Sequence, residues 1–270
     1  MSGIQINRRQ SLVALAAAFT PALRAQTNQK GKRAIDDCLA AMGGAAYLAM
    51  HNRVESGRAY SFYRENLSGL DIASIYTQYD PAPGVVSNLA VREREVFGKK
   101  RDYSVLFTET EAFDITYRGA RPVPKKTFDR YKETTLRNFF YILRMRLNEP
   151  GMTFEWRSSD VLDNRPVDIV DITDSNNLTT TVYIDQTYKT PLRQVVYRRD
   201  PITRDRDEEL TVFSKYRDVG GGVQWPYAIQ RNRNGEKIYE IFSDSVKVNE
   251  EVKPGFFDLP EGIKQLKEVD

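Results

Sequence analysis

The stretch Asp218-Val219-Gly220-Gly221-Gly222-Val223-Gln224-Trp225-Pro226 gathers residue types that can do chemistry: three consecutive glycines, an aromatic ring and a proline. A glycine run can cradle a phosphate, but a phosphate loop stands between a strand and a helix and uses the helix N-terminus. Here Val223, Trp225, Tyr227 and Ile229 alternate with Gln224, Pro226, Ala228 and Gln230, the period of a half-buried strand. The glycines therefore read as a hairpin turn. Pro226 has no N–H to donate, which puts its strand at an edge or a bulge. His51 is the only histidine, so a Ser-His-Asp triad or a histidine-bearing zinc site would have to use it. It reads instead as a solvated residue between a helix and a strand. Cys38 is the only cysteine, which excludes an internal disulfide, and it shares a helical face with Ile35, Leu39 and Met42 as a small hydrophobe would. Asp163, Asp168, Asp171 and Asp174 lack the alternating ligands and turn glycine of a calcium loop. Arg198, Arg199, Arg204 and Arg206 are offset by Asp205, Asp207, Glu208 and Glu209, a charged hairpin tip rather than a nucleic-acid stripe. No catalytic residue, metal set or cofactor is expected, and no nucleic-acid partner; the spacing selects no carboxylate pair for glycoside hydrolysis.

The formal charge of +3 resides in the leader: Arg8, Arg9 and Arg24 lie in the first 25 residues, and residues 26 to 270 carry 37 basic and 37 acidic side chains. Residues 1 to 25 read as a signal peptide, with a polar start, an apolar run from Leu12 to Phe19, and Ala22-Leu23-Arg24-Ala25 as the cleavage region. Cleavage falls after Ala25, with a cut after Ala22 as the alternative. The arginine pair fits a twin-arginine signal as well as an ordinary secretory one, since Ser11 stands where the former prefers a large apolar residue. The run is shorter than the about 20 residues a membrane span needs, so residues 26 to 270 are expected as one exported domain with no transmembrane segment, most simply in the periplasm.

The elements that would position any site follow from periodicity. Residues 32 to 42 form a short amphipathic helix stopped by Gly43-Gly44. Five period-two segments follow between Val54 and Tyr117, then one long helix over residues 126 to 147, then seven more strands from Phe154 to Phe242. The fold class is α+β: a strongly curved antiparallel sheet, an incomplete barrel, covered by a long central helix and a short N-terminal one.

This order, with Gly222-Val223-Gln224-Trp225-Pro226, Asn234-Gly235 and the closing Phe256-Phe257-Asp258-Leu259-Pro260-Glu261-Gly262, resembles the LolA-like family of outer-membrane lipoprotein-sorting proteins and its exported, uncharacterised branch. The resemblance implies an open half-barrel with helices over its mouth and acyl chains against its concave face, hence a soluble, non-enzymatic lipid or lipoprotein carrier. Phe62, Tyr76, Phe107, Phe139, Ile142, Trp156, Trp225 and Tyr227 are the candidate cavity residues. Arg58 and Arg64 are candidates for the early-strand arginine that holds the lid in such carriers. The implied partners are a lipid or acylated lipoprotein and an envelope protein. Two other readings stay open: a non-enzymatic envelope interaction or sensor module on the same fold, and an exported carboxylate hydrolase.

Overall fold

The computed structural model describes residues 8–80, 89–199 and 204–268, with side chains from residue 25 onward. Residues 1–7 and the side chains of residues 8–24, where a signal peptide is expected, and the Asp200-Pro201 turn therefore lie outside the described residues. The chain opens with α1 (Arg8–Ala41), which extends well N-terminal of the amphipathic stretch read from sequence, followed by the short α2 (Ala45–Ala49). Two antiparallel meanders come next. The first comprises β1 (Asn52–Tyr63), β2 (Asn66–Tyr79), β3 (Val91–Phe97), β4 (Tyr103–Phe107), β5 (Ala112–Thr116) and β6 (Gly119–Pro122). The second comprises β7 (Thr153–Leu162), β8 (Arg165–Thr173), β9 (Thr179–Asp185), β10 (Pro191–Arg199), β11 (Arg206–Asp218), β12 (Gln224–Arg233) and β13 (Glu236–Val248).

The meanders join side by side through β1 and β13, giving one 13-stranded antiparallel sheet in the order β6-β5-β4-β3-β2-β1-β13-β12-β11-β10-β9-β8-β7. The sheet does not close: β6 and β7 are its two edges. Each is covered, as a bare strand edge would otherwise pair with another chain. Ala120 of β6 exchanges backbone bonds with Lys264 and Leu266 of the C-terminal tail. Along β7 lies α1, so close that a Cβ on Gly31 would stand 2.3 Å from the Phe154 carbonyl oxygen. The seam carries a bulge at Ser56/Gly57, where a Cβ on Gly57 would come within 2.1 Å of the Phe242 oxygen. Bulges of this kind raise the local twist and help the sheet curve.

The strand pattern follows the period-two reading, with one addition. β6 has no alternation of its own and exists because β5 and the tail pair with it. The glycine run is a hairpin: Gly220, Gly221 and Gly222 all have positive φ, the Val219 N–H donates to the Val223 oxygen, and β11 leads into β12. Pro226 sits where β12 pairs with β11 but not yet with β13, whose pairing starts at Ala228, so the missing N–H falls on a local edge.

The helical segment differs from the single long helix that the apolar stripe predicts. It consists of α3 (Lys125–Leu136), a break, α4 (Phe139–Tyr141) and a π-helical turn over Ile142–Arg146. The break has a local cause. Asn138 is extended (φ −70, ψ 128) and its side chain accepts from the Phe140 and Tyr141 N–H groups, capping a new helix instead of continuing the old one. The stripe survives the break because Phe139, Phe140, Ile142 and Leu143 all reach the core, where they meet Ile35, Cys38 and Met42 of α1 and Phe213, Ile172 and Ile184 of the sheet. Burial pushes the Cys38 thiol far above its ordinary pKa, which keeps it an inert apolar group.

A candidate ligand cavity between sheet and helices

On the concave face, side chains from neighbouring strands line up in rows. Arg53 of β1 pairs with Thr77 of β2, which pairs with Glu93 of β3; Glu55, Ile75 and Glu95 form the next row. From the other meander, Tyr239, Arg231 and Thr211 form one row, and Ile241, Ile229 and Phe213 another. Above them the helical segment contributes Tyr131, Thr134, Thr135, Asn138, Phe140 and Tyr141. Between sheet and helices lies a cavity of about 360 Å³, within the range usual for small-molecule sites.

Its walls are mixed. Phe140, Phe213, Ile229, Ile241 and the Trp225 ring supply aromatic and aliphatic surface. Its floor carries charge. The Arg53 guanidinium lies 4.0 Å from the Trp225 ring centroid, donates 3.0 Å to Thr77 Oγ1 and stands 3.7 Å from a Glu55 carboxylate oxygen. Thr77 Oγ1 donates on to Glu93 at 3.2 Å, and Glu55 accepts from Ser243 Oγ. Glu95 makes no such bond among the described residues, and burial, reinforced by Glu93 and offset by Arg231, pushes its carboxyl up to about 8. Burial also raises Glu93, against the pull of Arg53 and the Thr77 hydrogen bond.

The roof is tied down by arginines of its own and of the sheet. Arg130 of α3 donates to Glu209 at 2.6 Å, and Arg198 of β10 pairs with both Glu133 and Glu209. Burial alone would push Glu209 up, but Arg198 and Arg130 hold its carboxyl below the ordinary value. Arg137 donates to the Tyr197 and Thr179 oxygens at 3.0 and 2.7 Å, Gln194 accepts from the Phe139 N–H, and Arg144 donates to the Met50 oxygen. Arg146 bonds Glu149, Asp174 and the Leu136 oxygen.

Of the residues read from sequence as cavity candidates, Trp225 lines this space. Phe139 and Ile142 are buried in the core next to it, and Phe107 stacks on Tyr131 at 3.9 Å beside it. Tyr76 alternates with the lining residues Ile75 and Thr77, so its ring turns to the other face and packs 4.6 Å from Phe256 of the tail. Trp156 is at the α1 seam, where Lys30 covers its ring and Asp168 accepts from its Nε1. The Phe62 ring lies under Lys237 and that of Tyr227 under Arg217. Arg58 pairs with Asp244 at 3.7 Å, and Arg64 sits at positive φ in the β1–β2 turn. Of the arginines on β1, Arg53 lines the cavity, while Arg130, Arg137, Arg144, Arg146 and Arg198 bond the helical segment to its surroundings. His51 is exposed and its backbone bonds Asn249. Among the described residues no group of histidine, cysteine or acidic side chains is arranged to hold a metal ion, and no helix is long and apolar enough to cross a membrane.

The charged floor went unread in the sequence, yet a signal for it was present. In Val91-Arg92-Glu93-Arg94-Glu95-Val96 the charges alternate in sign with period two. The strand turns both glutamates into the cavity and both arginines outward, where Arg92 bonds Glu109 and Asp258 and Arg94 donates to the Phe256 oxygen.

Comparison with known proteins places this architecture. No family model matches the sequence, and no curated protein matches it. Among solved structures, a domain named for outer membrane lipoprotein sorting from Vibrio parahaemolyticus superposes with a TM-score of 0.57 at 10% identity, covering 86% of this chain and 97% of that one. A DUF1329 family protein from Desulfovibrio piger gives 0.58 at 9% identity, covering 86% and 97%. A LolA superfamily protein from Nitrosomonas europaea gives 0.50 at 7% identity, covering 85% and 97%. The chain has a LolA-like fold, as its order of elements implied.

Proposed function

We propose that this chain is an exported, non-enzymatic carrier or binding protein of the cell envelope, working in the periplasm as a single domain of residues 26 to 270. It holds the acyl part of a lipid, or of an acylated lipoprotein, between the concave sheet and the helical segment. The observation that carries this reading is the cavity itself, roofed by a segment of helix that side-chain and backbone bonds fasten to the sheet. An acyl chain gains about 0.8 kcal/mol for each CH₂ moved out of water, so aromatic and aliphatic walls suffice to bind it. The LolA-like fold, shared with a domain named for lipoprotein sorting, supports the same reading.

Two features favour other readings. Glu93 and Glu95 in one cavity would suit a carboxylate hydrolase, although Glu93 is already engaged by Thr77. Tyr63, Leu67, Leu70 and Ile72 are exposed on the β1–β2 hairpin, which suits an envelope partner docking there, as in an interaction module.

Filling the cavity separates these. Ile75 and Ile229 both line it, and strands accept tryptophan well. The Ile75→Trp, Ile229→Trp double variant is expected to lose at least about tenfold in affinity for a fluorescent fatty acid while keeping its far-ultraviolet circular dichroism, since each added ring occupies ligand space. Unchanged affinity in a folded double variant would remove the cavity as the binding site.

A further inference from the structure

The cavity has two polar ends that the protein leaves incompletely partnered. Trp225 is 2% exposed and its only polar atom, Nε1, has no hydrogen-bond partner within the protein. Arg53, 8% exposed and stacked on the same indole, holds its Nε 3.7 Å from the Glu55 carboxylate, in an ion pair too long for a hydrogen bond. Both are donors on residues that line the cavity. A buried donor left unpaired forfeits its hydrogen bond to water, so these two favour a ligand that brings acceptor oxygens.

The second end is Glu95. It lies one row along and two strands across from Arg53, on the side of the cavity where Arg231 is exposed. Tyr103 of β4, Tyr131 of α3 and Tyr239 of β13 all feel its charge. Glu93 beside it is engaged by Thr77, and Glu55 by Ser243 and Arg53. The lining thus offers three carboxyls to two arginines, with the free one among phenol rings, an arrangement that suits an ammonium group.

Resting on the reading that the cavity holds an amphiphile, we propose that the polar end of that amphiphile is zwitterionic, of the phosphoethanolamine class. Its acceptor oxygens meet Trp225 and Arg53, and its ammonium meets Glu95 nearer the mouth. A cavity of about 360 Å³ suits a single-chain molecule of this kind. The order also matches the ligand's own, with the ammonium outermost.

The charges facing Glu95 are Glu93 on its own strand, Arg231 on β12, and the phenols of Tyr103, Tyr131 and Tyr239. Its carboxyl, pushed up to about 8, is mostly protonated at pH 7. Binding an ammonium ion therefore requires it to release its proton, and affinity for a cationic head should rise between pH 6.5 and roughly 8.5.

The test is calorimetric titration of the chain with lysophosphatidylethanolamine and with lysophosphatidylglycerol of the same acyl chain, at both ends of that pH range. The ethanolamine lipid should bind about tenfold or more tightly at the higher pH, and Glu95→Gln should erase both that preference and its pH dependence without a matching loss for the glycerol lipid. Trp225→Phe, which keeps the ring and removes the donor, should weaken both lipids several-fold. Equal binding of the two lipids, or an equal loss of both in Glu95→Gln, overturns the proposal while fatty-acid binding leaves the lipid reading standing. Binding of neither lipid nor of the fluorescent fatty acid overturns both.

Discussion

Replacing Arg146 by alanine is expected to destabilise the protein by about 3–5 kcal/mol, the cost of stranding buried charge. Arg146 is the last residue of the π-helical turn that follows α4, and its side chain is 6% exposed, as are those of Glu149 and Asp174 with which it pairs. Its guanidinium contacts the Glu149 carboxylate through two nitrogens, reaches Asp174 at 3.1 Å, and donates to the otherwise free Leu136 oxygen at the end of α3. Burial alone would lower its pKa, but the two carboxylates more than offset this. One side chain therefore binds the two pieces of the broken helix to each other and to the turn after β8. Alanine there leaves two carboxylates and a carbonyl oxygen in a dry site. A chain of this size loses roughly 2–4 °C of Tm per kcal/mol, so thermal unfolding should shift down by about 6–20 °C. Adding Asp174→Asn should recover part of the loss, because one stranded charge is removed with it. A shift of less than about 2 °C in Arg146→Ala would show that the network does not hold the segment.

The second large effect is on pH dependence. In the unfolded chain a glutamate releases its proton near about 4.3. Folded, Glu95 keeps its proton until about 8, chiefly because burial penalises its charge. Between those values the native state binds more protons than the unfolded state, so the contribution of Glu95 to stability is full at low pH and is lost as pH rises toward 8. Glu95→Gln cannot ionise. Wild type and variant should therefore be equally stable near pH 4, with the variant ahead by on the order of 3–5 kcal/mol at pH 8.5. Chemical denaturation at both pH values measures this difference. A variant less stable than wild type at pH 8.5 would mean that Glu95 is held as a carboxylate by partners in the fold.

What the sequence made legible divides along physical lines. Two long period-two regions flanking a helical stripe were enough for a curved antiparallel sheet with helices across it, because each strand's alternation survives whatever it pairs with. The glycine run was readable because a strand, not a helix, follows Gly222. The helix break was not, although Asn138 is a good capping residue, because apolar positions on both sides of it still face the core. The site was least legible. Aromatic residues look like cavity residues in sequence, but an aromatic side chain satisfies a core, a seam or a convex face equally well: Trp156 went to the α1 seam and Tyr76 to the tail. The informative residues were charged ones on strands. Arg53 and Glu55, two apart on β1, and Glu93 and Glu95, two apart on β3, are placed where a buried sheet face would exclude them unless a cavity required them. Arg58, the early-strand arginine that looked suitable, has the opposite parity to Arg53 and faces Asp244.

The central claim is that the space between sheet and helices holds one amphiphilic molecule, and native mass spectrometry of the protein expressed from residue 1 and purified from the cell envelope tests it most directly. The account predicts a bound population heavier than the bare chain by the mass of a single lipid, identified after extraction, and missing from the Ile75→Trp, Ile229→Trp variant. Bare chain in both samples, with no uptake of lipid added before spraying, would contradict it.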